Sequence, residues 1–165
     1  MFGLAEPMGL EGNMPSAISD DIDVLEKAKR MLAPDYTPGE DEEYMNEQQQ
    51  AYFRMLLIEW KRSIHSAAGQ TLQSLQDGPL READLTDRAS SETDWGIELR
   101  TRDRQRKLIA KIDAALRRLD EGEYGYCEVT GDPIGLKRLI ARPVATMTVE
   151  AQEAHERREK ISRDD

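Results

Sequence analysis

Cys127 stands in GYCEVTGDPIG, residues 125–135, three residues before a Gly turn. A zinc knuckle opens this way, because two thiolates on one hairpin supply half of a tetrahedral site. Here the second thiolate is missing. Thr130 occupies its place, Cys127 is the only cysteine in 165 residues, and neither His65 nor His155 has ligand spacing to it. One thiolate cannot close the site, so Cys127 reads first as a buried small hydrophobe and second as a reactive thiol. A different chemistry is offered by PLREADLTDRASS, residues 79–91, where Asp84 suits a helix N-cap and Asp87 the reciprocal capping position. The same two acids share one face of a first turn, with the low bulk of Ala89 nearby, and a tip built so presents charge inside a narrow cavity of a large partner. Both uses are open. The third group is LRTRDRQRKLI, residues 99–109, in which Arg100, Arg102, Arg104, Arg106 and Lys107 face the single acid Asp103. On a helix they form a collar. It is either a solvated surface paired with acids of a neighbouring helix or a site for a polyphosphate or an acidic partner, since guanidinium groups grip phosphate through paired hydrogen bonds.

The elements that position these groups are helical. Hydrophobic residues make up 38% of the chain, charged residues 34% and aromatic residues 5%, a balance that suits long solvated helices and not a large core. A net charge of -10 disfavours duplex nucleic acid as the main partner. The longest apolar run, Met55 to Ile58, is far too short to span a bilayer, and no basic segment followed by an apolar block opens the chain, so a soluble, cytoplasmic protein is expected. Residues 1–40 read as an N-terminal arm with a short helix at 19–32, capped by Ser19 and ended by Pro34 and Pro38. Residues 41–121 read as a finger of two helices. Met45, Tyr52, Leu56, Trp60, Ile64, Ala67, Ala68, Leu72 and Leu75 form one stripe; Trp95, Leu99, Ile109, Ile112, Leu116 and Leu119 form the other, broken at Arg102 and Arg106. The breakers Gly78 and Pro79 leave a short linker, which makes the helices antiparallel neighbours with a tip near 78–91. Residues 122–165 read as a small globular end plus a C-terminal helix. No catalytic constellation is present, and a non-enzymatic protein is expected.

Four stretches together resemble the DksA family of bacterial transcription factors: EEYMNEQQQAYFRMLL, DLTDRA, ELRTRDRQRKLIAKI, and the long segment from LDEGEYGYCEVTGDPIG to EAHERREK. The resemblance covers roughly residues 34 to 160. It implies a mainly α fold, a long antiparallel coiled-coil hairpin with a small zinc-finger-like end and a C-terminal helix. It further implies a regulator of bacterial RNA polymerase that inserts its finger into the secondary channel, modulates initiation at rRNA and amino-acid promoters, and reads no DNA sequence. On that pattern Asp84, Asp87 and Ala89 are the tip residues acting near the polymerase active site. Arg104, Lys111 and Arg142 match basic residues that bind the effector guanosine tetraphosphate (ppGpp) between factor and polymerase. A monomer with no membrane association follows. The rival readings are a Gre-like transcript-cleavage factor, which uses tip acids to hold magnesium, and a generic coiled-coil adaptor.

Departures from the family pattern carry their own expectations. The four zinc cysteines of the family correspond here to Cys127, Thr130, Thr148 and Ala151, so no structural zinc and no resident cofactor are expected. Tyr124, Tyr126, Ile134, Leu136, Leu139, Ile140, Val144, Met147 and Val149 are the apolar residues available to hold the globular end instead, with an ST-type turn at Thr130-Gly131. Loss of the thiolates also removes a target of oxidants. Gln152 stands where the family has a further effector lysine, and Thr101 where it has an Asn; the first change removes a cation from the effector site.

Overall fold

A computed structural model describes the backbone at 16–77 and 85–164, and the side chains within those ranges except at 16–18, 71–77, 85–89, 91 and 164. Among the described residues five helices follow one another: α1 (Ser16–Met31), α2 (Glu47–Asp77), α3 (Leu85–Glu121), α4 (Leu136–Ala141) and α5 (Val149–Asp164). Among the described residues the only extended pairing is an isolated bridge between Tyr126 and Pro133. Among the described residues the helices whose backbones run in close contact are α1 with α2 and α2 with α3.

The hairpin is antiparallel. Arg54 pairs with Asp120 at 2.7 Å and Lys61 with Asp113 at 2.8 Å, so a step of seven residues up α2 is matched by seven down α3. With 37 residues α3 is about 55 Å long at 1.5 Å per residue. Its base is well filled: Phe53, Leu57 and Ile64 of α2 are buried with Ile112, Ala115 and Leu119 of α3. Ile64, Ile112 and Leu119 lie on the expected stripes, but near its start α2 turns the neighbouring residues Phe53 and Leu57 into the seam. Tyr52, Leu56 and Trp60 flank it half-buried, Ala67 is exposed, and Trp95 and Leu99 are exposed too. The shift has a cause in α1, which covers α2 from a second side. Leu25 and Ala28 of α1 are buried, as are Ala51 and Ile58 of α2, all four apart from the main core cluster. Lys29–Glu59 at 2.6 Å and Lys61–Asp21 at 2.8 Å tie the two helices. α2 is thus a central helix with two buried arcs, and a single stripe cannot describe it.

Two helix starts differ from expectation. α1 begins at Ser16, so Ser19 lies inside it. The first finger helix starts at Glu47 and not near Asp41, because Met45 has a left-handed φ of 56° and Asn46 caps the helix through a 2.8 Å hydrogen bond from the Gln49 N–H to its Oδ1. Buried Gln49 seals the preceding turn, accepting from the Met45 N–H at 2.8 Å and donating to the Gly39 carbonyl and to Glu42.

Candidate functional site

The basic collar separates into paired and unpaired members. Asp103 takes Arg106 and Lys107, each at 2.8 Å, and these hydrogen bonds, Lys107 first, hold its carboxyl below the usual range. Arg102 is bound to Glu98 at 3.1 Å. Arg100, Arg104 and Lys111 are exposed and form no ion pair among the described residues; spaced by four and seven, they line one face of α3. Arg142 is also exposed and is the C-cap residue of α4. Arg104 and Lys111 share a face of α3, and Arg142 belongs to the globular end. Asp84 lies outside the described residues. Asp87 and Ala89 fall in the first two turns of α3, their side chains outside the described set.

The globular end is a knuckle held by hydrogen bonds. The Cys127 N–H donates to the Asp132 carbonyl and the Gly131 N–H to the Cys127 carbonyl, both at 2.8 Å, with Gly131 at φ 76°. Cys127 is buried. Burial alone would keep its thiol protonated, but hydrogen bonds from the Thr130 hydroxyl and the backbone N–H groups of Thr148, Thr130 and Val129 outweigh it and bring the pKa down to about 7. The Thr130 hydroxyl also accepts from the Asp132 N–H at 3.3 Å, the ST turn expected there. Thr148 is the N-cap of α5, accepting from the Ala151 N–H at 3.2 Å.

Residues outside the knuckle clamp it to the finger. The Tyr44 hydroxyl donates to the Gly125 carbonyl at 2.7 Å and accepts from the Gly135 N–H at 3.1 Å. Arg118 of α3 donates to the Tyr126 carbonyl at 2.6 Å; within the globular end itself Arg138 donates to the Met147 carbonyl at 2.9 Å and Tyr124 to the Pro143 carbonyl at 2.7 Å. Beneath them Tyr124, Cys127, Ile134, Leu136, Leu139 and Ala145 are buried in the same cluster as the base of the finger, with Tyr126, Val144 and Met147 packed against it. Ile140 and Val149, expected in this core, are instead 39% and 46% exposed. Sequence reasoning missed the clamps, since a Tyr or Arg that reaches a distant carbonyl leaves no local pattern; the Thr148 cap was signalled by a Thr just before a helical stretch.

Residues 49–119 match the family described as DnaK suppressor protein DksA, N-terminal domain, and residues 122–157 match the Prokaryotic dksA/traR C4-type zinc finger. The chain belongs to the DksA family. Among curated relatives, the RNA polymerase-binding transcription factor DksA of Caulobacter vibrioides is 62% identical over 131 residues, 79% of this chain and 92% of that protein. The protein of the same description from Escherichia coli K12 is 42% identical over 123 residues, 74% of this chain and 80% of its own. The solved structure of transcription factor DksA2 from Pseudomonas aeruginosa superposes with a TM-score of 0.64 at 40% identity, covering 81% of this chain and 98% of that one. The family's mainly α, coiled-coil architecture is the one described above.

The second match implies a zinc ion held by four thiolates, and the residues here do not fit it. Of the four positions only Cys127 is a thiol. Thr130 spends its hydroxyl on Cys127 and a turn, Thr148 caps a helix, and Ala151 has no donor side chain. Among the described residues no three or more His, Cys, Asp or Glu side chains are grouped to hold a metal. Hydrogen bonds to one sulfur thus stand where metal–thiolate bonds would be. No described helix is long and apolar enough to cross a membrane.

Proposed function

We propose that this chain binds bacterial RNA polymerase, enters its secondary channel with the tip of the α2–α3 hairpin, and modulates transcription initiation at rRNA and amino-acid promoters together with ppGpp. The observation that carries the reading is the sorting of the collar. Arg102, Arg106 and Lys107 are neutralised within α3, while Arg100, Arg104 and, further along the helix, Lys111 stay exposed on one face with no ion pair among the described residues, as a surface that shares a polyphosphate with a second protein requires. Relatives that cover most of their length with this chain carry the description RNA polymerase-binding transcription factor. On this reading Asp84, Asp87 and Ala89 act at the tip, and Arg104, Lys111 and Arg142 bind ppGpp, with Gln152 lowering the effector's affinity. The anion strengthens the assembly by mass action. The chain acts as a cytoplasmic monomer, catalyses no reaction, reads no DNA sequence, and folds without zinc.

In vitro transcription from a ribosomal RNA promoter, with and without ppGpp, on protein of measured metal content tests this. Zinc-free protein inhibits the promoter, ppGpp deepens the inhibition, and Asp87→Asn abolishes it while polymerase binding persists. Unchanged inhibition by Asp87→Asn would reduce the tip to a simple turn. Transcript cleavage in a stalled elongation complex would move the chain to the Gre-like class.

A further inference from the structure

Arg142 stands at the end of α4, a helix of six residues and about 9 Å. So short a helix does not hold itself in water. Its Leu136 and Leu139 are buried in the core cluster, but among the described residues no other helix runs in close backbone contact with it. Gly135, the N-cap, has a left-handed φ of 99° and provides no side-chain cap. Two tyrosine hydroxyls from outside the helix hold it instead, one at each end. At the start the Tyr44 hydroxyl accepts from the Gly135 N–H at 3.1 Å and donates to the Gly125 carbonyl at 2.7 Å. At the far end the Tyr124 hydroxyl donates at 2.7 Å to the carbonyl of Pro143, the residue after Arg142. The Arg142 N–H donates to the Arg138 carbonyl at 2.7 Å and its carbonyl accepts from the Ala145 N–H at 3.0 Å, so its backbone goes where α4 goes.

Both tyrosines are rooted in the finger. The Tyr124 ring lies 5.5 Å from that of Phe53 in α2. Tyr44 belongs to the turn that buried Gln49 of α2 seals, and its ring meets Tyr126 edge-on at 5.6 Å. The other ties on α4 are of a different kind. Arg138 binds the Met147 carbonyl of its own globular end, and the Lys137–Glu40 pair, 3.7 Å apart with both side chains exposed, contributes little. The two hydroxyls are thus the firm polar links between the finger base and the helix that carries Arg142. Arg104 and Lys111 stand on α3 and Arg142 on the globular end, and one small anion takes hydrogen bonds from both bodies only while their offset is fixed. Guanidinium–phosphate hydrogen bonds are short and directional, and a binding constellation has to hold its members to about 0.5 Å.

We propose that Tyr44 and Tyr124 are positioning residues for the ppGpp response: by fixing the two ends of α4 they hold Arg142 at the offset from Arg104 and Lys111 that the anion needs. The inference rests on the function proposed above and adds how its effector site is assembled. Its test is in vitro transcription from a ribosomal RNA promoter with full-length variants at saturating concentration. The quantity read is the ppGpp concentration for half of the added inhibition, measured against each variant's own inhibition without ppGpp. Arg142→Gln, which removes the cation, raises that concentration about tenfold. Tyr44→Phe and Tyr124→Phe keep the rings, remove only the hydroxyls, and each raise it about threefold. In the Arg142→Gln background neither raises it further, because no guanidinium is left to position. A merely structural role predicts instead that any loosening of the fold acts alike. Lys61→Met is the control for that: it frees α1 without touching α4 and leaves the ppGpp response unmoved. If Tyr124→Phe fails to fold, Tyr44→Phe, at a half-buried hydroxyl, carries the test alone. No effect of Tyr44→Phe, an equal effect with and without Arg142, or an equal effect of Lys61→Met would overturn the proposal and leave the effector reading standing. If Arg142→Gln responds to ppGpp as the unaltered chain does, the effector reading of Arg142 falls and this inference with it.

Discussion

Thr130 and Thr148 stand at two positions that the family resemblance assigns to zinc thiolates, and each hydroxyl accepts a local backbone hydrogen bond. The consequence falls on Cys127. Its thiol is 3% exposed, and burial is the strongest influence on it, yet the combined N–H and hydroxyl donors bring its pKa from the ordinary 9.0 to about 7. A group whose folded pKa is depressed stabilises the fold fully above its unfolded value and loses that contribution as pH falls through the folded one. Urea denaturation should therefore show stability rising between pH 7 and pH 9, and Cys127→Ala should flatten the rise. Thiolate absorbance of the folded protein should titrate near pH 7; a midpoint at the unfolded value would show that the donors do not hold the sulfur. The same scale accommodates Tyr44, whose hydroxyl joins two knuckle loops. Tyr44→Phe should cost about 1–2 kcal/mol in denaturant unfolding, because it orphans the Gly135 N–H while leaving the ring in place. An unchanged midpoint would mean that the clamp is dispensable. Gly125 must remain glycine for two reasons, a φ of 90° and a Cβ position 2.9 Å from the Met45 side chain.

The arm helix α1 is held to the hairpin by a shared cation. Lys61, with a side chain 14% exposed, lies 2.8 Å from both Asp21 of α1 and Asp113 of α3. Burial by itself lowers the pKa of this lysine, but the hydrogen bonds it donates to the two carboxylates win and raise it. Since the folded value is raised, the clip is complete below the unfolded 10.5 and is lost only as pH climbs through the folded value. Lys61→Met should leave two half-buried carboxylates without their cation and cost about 1–3 kcal/mol. Hydrogen exchange would localise the effect: faster exchange in α1 with the α2–α3 base still protected. Uniform acceleration through the hairpin would show instead that the arm is not a separate layer. The lengths of these helices were legible in the sequence because their periodicity runs for many turns, and the antiparallel hairpin followed from a short linker with strong breakers. The depth of burial around α2 was not legible. Phe53, Leu57, Ala51 and Ile58 point to two neighbours at once, and one-stripe reasoning selected Tyr52, Leu56 and Trp60, which lie on the shoulders of the seam. Of the candidate site, the bases and the vanished thiolates were readable by type and spacing; which bases remain unpaired depends on side-chain geometry along α3 and could not be read so.

On the scale of the whole molecule, a knuckle of some forty residues has too little core to fold alone. Here it does not have to. Phe53 and Leu57 of α2, Ile112 and Leu119 of α3, and Tyr124, Ile134 and Leu139 of the globular end belong to one continuous buried cluster, with Met45 included. The Phe53 and Tyr124 rings meet at a centroid distance of 5.5 Å across the junction. Arg118 and Tyr44 add hydrogen bonds over the same boundary. The globular end is then stabilised by the finger base, and the two should unfold as one cooperative unit. Leu139 is fully buried in the small end, and Leu139→Ala should cost about 2–5 kcal/mol, the range for emptying a leucine-sized site. The loss should appear in a single transition that α2 and α3 share, monitored by far-ultraviolet dichroism of the helices and by tryptophan fluorescence at Trp60, which packs against the cluster. Incubation with a zinc chelator before the same measurement should leave the midpoint unmoved. Two separated transitions, with the small end melting first, would break the link between finger and knuckle; a midpoint lowered by chelator would show that a metal contributes to the fold after all.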